Sequence, residues 1–246
     1  MKRMLLICLA LTLTLGLASC SEETSGSSSS PPLASSGTGG PSESQNSENG
    51  PASETGGEAQ KTDASNILIA YFTMPEDVDT SGVDAVAGAS IVVSDGEVMG
   101  NVEYMASVIQ ETIGGDLFRI ETVQSYPLDH DPLVDQAAQE QEEDARPELA
   151  TRVENPDQYD TVILGYPNWW GDMPQAVYTF LEEYDFAGKT IVPFCPHGGS
   201  GFSRTERTIA QLQPGATVRE DGLAIARGNV AGSAGQVAAW AQGLGL

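Results

Sequence analysis

The chain has 246 residues, 40% of them hydrophobic, and 35 acidic against 11 basic side chains give it a formal net charge of −24. Such acidity excludes a nucleic-acid partner, because holding phosphates takes a basic face; it suits solubility, or docking to a basic redox partner. From Asn66 onward 28 acids stand against 8 bases, and a stretch of about 180 residues suffices for one hydrophobic core.

Lys2 and Arg3 precede residues 4–17, an uncharged run too short to span a bilayer and shaped like a secretion signal. It ends in Leu17-Ala18-Ser19-Cys20, which resembles a bacterial lipobox. The resemblance implies that residues 1–19 are a signal peptide. It also implies that the Cys20 thiol receives a diacylglycerol, anchoring the mature protein to the cell membrane outside the cytoplasm. Of the three cysteines, Cys8 lies within the signal and only Cys195 falls in the folded part, so no intradomain disulfide can form. Residues 20–65 are Ser, Gly, Pro, Glu and Thr with almost no large apolar side chain; such a segment cannot offset its ordering entropy and reads as a tether.

Ile67, Leu68, Ile69 and Ala70 form a continuous apolar run of the kind found in a central parallel strand, with Thr73 at its carboxyl end. Residues 74–99 intervene before the next helix. They include two short apolar runs around Asp95-Gly96, a hairpin signal over residues 91–98. The helix opens at Gly100-Asn101-Val102, with Met105, Val108 and Ile109 spaced for one buried face. Gly114-Gly115 ends it and leads into a strand at residues 116–123. A long acidic helix is predicted over residues 132–150, with Val134, Ala137, Ala138 and Gln141 on one face; its acids at 140–144 read as a solvated surface, not a metal site.

Residues 159–164 form the third strand, followed by Gly165-Tyr166-Pro167-Asn168-Trp169-Trp170-Gly171-Asp172-Met173-Pro174. Two adjacent tryptophans between glycines and prolines, at the carboxyl end of a buried strand, suit a planar aromatic ligand. Asp172 is a candidate cap for the helix that starts at Gln175. Residues 189–195 form the fourth strand, and the loop Pro196-His197-Gly198-Gly199-Ser200-Gly201-Phe202 lets the backbone approach a ligand closely. A helix over 203–212, a strand over 217–226 and a helix over 229–244, with Val230, Val237 and Trp240 inward, complete the chain. Five strands alternating with helices argue for a parallel sheet with right-handed crossovers.

Four segments, Ile67 to Thr73, Gly100-Asn101-Val102, Gly165 to Pro174 and Cys195 to Gly201, stand in the order of the flavodoxin-like family, in the branch with a Tyr-Pro-Asn-Trp-Trp run and an insertion after the first strand. The resemblance covers residues 66–246. It implies an α/β three-layer sandwich whose five-stranded parallel sheet has the order 2-1-3-4-5, with a hairpin-like insertion after strand one, and a noncovalent FMN cofactor. Thr73, Asn101 and Val102 would then belong to the phosphate loop, and Pro167, Asn168, Trp169, Trp170 and Gly171 to the second flavin loop. Cys195, His197, Gly198, Gly199, Ser200 and Gly201 would belong to the third. Val102 departs from the family, which usually has threonine there, and Pro75 lacks an N–H.

The resemblance implies neither a metal nor a catalytic residue; His197 is a candidate proton donor to flavin N5 or a positioning group, and Cys195 reads as a buried strand-end thiol. The function implied is electron transfer with a redox protein or a small-molecule donor or acceptor. The alternatives are an FMN oxidoreductase acting on quinones or nitro compounds, and a cofactor-free cell-surface binding module. Carboxylates around the ring would disfavour an anionic reduced flavin and lower its potential. Residues 84–90 read as a tight turn of small residues into the hairpin; they also resemble a flavin-acceptor motif ending at Ser90, with Ala87 where that motif has Ser or Thr.

Overall fold

Strand β1 (Ile67–Tyr71) is buried along its whole length, as an unbroken apolar run demands of a strand covered on both faces. The computed structural model describes residues 66–79, 85–86, 90–94 and 96–246. The signal segment, Cys20 and the tether lie outside the described residues. After β1 come β2 (Ala85–Val86), β3 (Ile91–Ser94), β4 (Glu97–Gly100), α1 (Asn101–Ile113), β5 (Asp116–Arg119) and α2 (His130–Glu142). Then follow β6 (Thr161–Gly165), α3 (Gln175–Glu183), β7 (Thr190–His197), α4 (Thr205–Leu212), β8 (Thr217–Val218), β9 (Leu223–Ala226) and α5 (Ala234–Gly243).

The main sheet is parallel throughout, in the order β5-β1-β6-β7, with both β8 and β9 paired to the outer side of β7. This is the 2-1-3-4-5 order with its fifth position broken in two. Pleating sends alternate side chains of β1 to opposite faces. Leu68, Ala70 and Phe72 pack with Leu133 of α2, Phe180 of α3 and Ile209 of α4. Ile67, Ile69 and Tyr71 pack with Val102, Met105 and Ile109 of α1 and Val237 and Ala241 of α5. Two cores, one on each side of the sheet, make the three-layer sandwich.

The hairpin at residues 91–98 is present as β3 and β4, antiparallel, and β2 adds a third strand to it. Ser90 turns into it with a positive φ of 57°, and β4 runs without a gap into α1.

Five expectations need correction. The acidic helix stops at Glu142, not at 150. Asp144 adopts φ 48° and Pro147 has no N–H to continue a helix. Leu149 is buried, and residues 148–150 pair instead with residues 121–123. Its buried positions are Leu133 and Ala137, not the face through Val134 and Ala138. The strand over 217–226 breaks between Val218 and Leu223, level with Pro193 of β7, a residue that cannot donate to a ladder. The final helix is preceded by a separate 3-10 turn, Arg227–Gly232, closed by Ser233 Oγ donating to Val230 O at 2.7 Å. Asp172 does not cap α3; its carboxylate accepts from Tyr178 OH at 2.9 and 3.0 Å and from the Met173 N–H at 2.8 Å.

Candidate functional site

From neighbouring β1 and β6 the chain departs in opposite directions, to β5 on one side and β7 on the other. At such a reversal the loops after the two strands separate and leave a crevice outside their carboxyl ends. A cleft of about 180 Å³ lies there. Thr73, Asn101, Val102, Pro167, Asn168, Trp169, Trp170, His197 and Gly198 line it, so all three loops singled out from sequence meet at one place.

One end of the cleft is polar and tightly built. Thr73 is buried at the end of β1, and the insertion returns the chain to Gly100 directly against it. A Cβ on Gly100 would stand 2.0 Å from Thr73 Oγ1. The Gly100 N–H reaches Glu103 Oε2 at 3.4 Å, and the Asn101 N–H donates to Ser90 O at 2.7 Å. What remains for a ligand is the positive end of the α1 dipole and the Asn101 side chain. That side chain is only 2% exposed, and neither its Nδ2 nor its Oδ1 has a hydrogen-bond partner among the described residues. A buried amide left unpaired costs about 1–3 kcal/mol, which a ligand bringing oxygen acceptors and a donor would relieve.

The other end is aromatic, and its two tryptophans differ. Trp169 points inward, edge-on to Phe72 with centroids 5.5 Å apart and to Tyr126 at 5.7 Å. Its backbone exchanges two 2.9 Å hydrogen bonds with Asp172. These close a two-residue turn in which Trp170 (φ 53°) and Gly171 (φ 80°) both have positive φ. A bulky residue is rarely held there. The turn throws Trp170 outward, 63% exposed, with its indole N–H on Val134 O at 3.2 Å. Trp169 is thus a fixed wall and Trp170 a rim.

Asn168 braces the loops against each other. Its Nδ2 donates to Gly201 O at 2.9 Å and to Ser203 Oγ at 3.0 Å, while its Oδ1 accepts from the Gly171 N–H. Gly171, Gly199, Ser200 and Gly201 therefore shape the loops without lining the cleft. Cys195 does not line it either; it is fully buried in the core, and burial pushes its thiol far above the usual range. His197 accepts the Gly199 N–H at Nδ1, 2.9 Å, so a neutral ring carries its proton on Nε2.

Sequence reasoning missed part of the wall: Met74 and Glu76 from the insertion, His130 and Leu133 from α2, and Arg227. Ser90, read only as a turn or acceptor residue, also faces the cleft. His130 Nδ1 lies 2.9 and 3.1 Å from the two oxygens of the buried Glu76 carboxylate, and that hydrogen bond raises the imidazole above its ordinary pKa. Glu76 and His130 are 54 positions apart, and neither stands in a motif. Among the described residues Glu76 is the one acid on the wall, and it is paired. The expected ring of carboxylates is therefore not found on the cleft wall among the described residues.

A doubly covered parallel sheet with an aromatic-walled cleft at its switch point defines a flavodoxin-like domain. The sequence model of one family, described as Flavodoxin, matches residues 90–243, and the chain belongs to that family. A Bacteroides eggerthii protein assigned as a flavoprotein is 26% identical, over 70% of this chain and 97% of its own, with a TM-score of 0.50. One from Bacteroides uniformis is 26% identical, over 69% and 97%, at 0.48. A Lactobacillus acidophilus flavoprotein, solved in complex with FMN, is 18% identical, over 67% and 95%, at 0.46. No curated protein matches the chain.

Proposed function

We propose that this domain binds FMN noncovalently in the cleft and carries electrons between redox partners. The observation that carries the reading is Asn101: a buried amide with no partner, at the start of a helix, beside a buried threonine, facing a cleft with an aromatic wall. A flavin phosphate would accept from Asn101 Nδ2 and a hydroxyl of the flavin's side chain would donate to its Oδ1, with the α1 N-terminus and Thr73 around the phosphate. Trp169 would back the ring system, Trp170 would cover it from the rim, and the His197-Gly198 segment would meet its polar edge. Bound flavin supplies one- and two-electron chemistry; the chain's part is to bind and orient it and to limit water around it. The His197 ring, fixed through Nδ1, presents Nε2–H as a hydrogen-bond donor.

The domain is further proposed to work outside the cytoplasm, tied to the membrane by a diacylglycerol on Cys20 through the segment 20–65. Supporting this are Lys2-Arg3, the apolar run over 4–17 and Leu17-Ala18-Ser19-Cys20. No helix among the described residues is long and apolar enough to cross a membrane.

The test is titration of the purified chain with FMN, read by absorbance and by quenching of flavin fluorescence, on wild type and Asn101→Ala. Saturable quenching is expected in wild type. The variant should bind more weakly, by about 1–3 kcal/mol for the lost partner, while its unfolding midpoint without FMN does not fall. Absence of any saturable signal in wild type would remove the FMN reading.

A further inference from the structure

Resting on the FMN reading, we propose that Arg227 is the phosphate-recognising cation of the cleft, the residue by which this site distinguishes a phosphorylated flavin from its unphosphorylated form. A domain with 28 acids and 8 bases from Asn66 onward repels a phosphate dianion at long range, so a local positive charge beside the α1 N-terminus would strengthen the binding of one.

The basic side chains of the described residues are mostly spoken for. Arg119 pairs with Glu103 and Glu121, Arg146 with Asp144 and Glu182, Arg152 with Glu183, and Arg219 with Asp221. Lys189 donates to the carbonyls of Pro156 and Tyr159. Of the eight basic side chains, Arg204 and Arg207 included, only Arg227 lines the cleft, and no carboxylate among the described residues pairs with it. The other cationic candidate on the wall, His130, is already neutralised by Glu76 at 2.9 Å.

Its position is set by packing. Arg227 leaves β9 immediately after Ala226, which is in register with His197 at the end of β7. It opens the 3-10 turn whose Val230 is buried in the core shared with α1 and α5. The Ala231 carbonyl of that turn accepts from Tyr104 OH of α1 at 3.4 Å. The turn is thereby held against the first turn of the helix that carries Asn101. Arg227 and Asn101 line the same cleft, one exposed and charged, the other buried with both amide atoms unpaired. Across the cleft, the charge of Arg227 also opposes protonation of His130. A guanidinium suits this task because its planar donors match phosphate oxygens in pairs.

The experiment compares FMN with riboflavin, which lacks only the phosphate. Dissociation constants for both are measured by fluorescence quenching on the full chain, in wild type, Arg227→Gln and Arg227→Lys, at two salt concentrations. Arg227→Gln is expected to weaken FMN by about tenfold or more, on the scale of a charge-assisted hydrogen bond, to leave riboflavin unchanged, and to flatten the salt dependence of FMN binding. Arg227→Lys should restore part of the loss. Unchanged FMN affinity in Arg227→Gln, or an equal loss for both ligands, overturns the assignment while the FMN reading stands. Wild type that binds neither flavin overturns the FMN reading and this assignment with it. The side chain is exposed, so thermal unfolding of the variants should match wild type.

Discussion

The two ends of the cleft are built in opposite ways. The aromatic end comes from one continuous loop, Gly165 to Pro174, braced through Asn168 and the Trp169–Asp172 pairing. The polar end is assembled from pieces apart in sequence: Thr73 at the end of β1, Gly100 and Asn101 after the insertion, and Arg227 more than a hundred residues later. A local loop can be read from its composition. A site closed by contact between distant segments depends on steric fit, so single atoms there should matter more.

Gly100→Ala is the strongest challenge to that contrast. Gly100 has an ordinary φ of −67°, so the obstacle is space: the new methyl would meet Thr73 Oγ1 at 2.0 Å and Thr73 Cβ at 3.1 Å. Overpacking of this kind costs about 1–3 kcal/mol, and displacing Thr73 should also weaken FMN binding. Gly171→Ala at the aromatic end meets nothing nearer than Ser203 Oγ at 3.8 Å and should cost only about 1 kcal/mol, for its positive φ. Denaturant midpoints of the two variants test this; if Gly171→Ala proves the more damaging, the polar end is not the tighter one.

The tryptophans sharpen the comparison within one loop. Trp169→Ala should lower stability by about 2–3 kcal/mol, less than a fully buried tryptophan, since it removes the edge-on contacts to Phe72 and Tyr126. Trp170→Ala should leave stability within about 0.5 kcal/mol and lower FMN affinity by about 0.5–1.5 kcal/mol. Equal effects on stability would mean that wall and rim are not distinct.

The smallest effect concerns the clasp over the cleft, where Glu76 of the insertion meets His130 of α2. The folded pKa of His130 is raised by the Glu76 carboxylate. The stabilising contribution is therefore complete below the ordinary histidine value of about 6.5 and is lost as pH rises through the folded value. NMR titration of the His130 ring protons should give a midpoint above the ordinary value in wild type, and Glu76→Gln should bring it down. Identical midpoints would show that the clasp does not form in solution.

Much of the fold was legible because it rests on local pattern. The apolar runs of β1, β6 and β7 and the Asp95-Gly96 hairpin announce themselves, and the helix opening at Asn101 needs only its spacing of Met105 and Ile109. The errors came where tertiary contact overrides pattern. Leu149 is drawn into pairing beside Thr122 and ends an acidic run that reads as helix. Pro193, on the neighbouring strand β7, stands level with the break in the edge strand.

The sequence alone determined a parallel α/β domain and its three candidate loops, because strand burial, helical spacing and glycine-rich turns are properties of neighbouring residues; the strand order that brings those loops to one switch point came from the family resemblance. It also marked the two tryptophans as candidates for the wall of the cleft they line. Only the tertiary structure decided that Trp169 faces inward while Trp170 lies on the rim, since that follows from a positive-φ turn closed by Asp172. Likewise Asn101 is left without a partner among the described residues, and Glu76, His130 and Arg227 arrive at the cleft from elements that carry no motif. Those outcomes depend on which long-range contacts exclude water and which charges are already paired, and no local pattern encodes either.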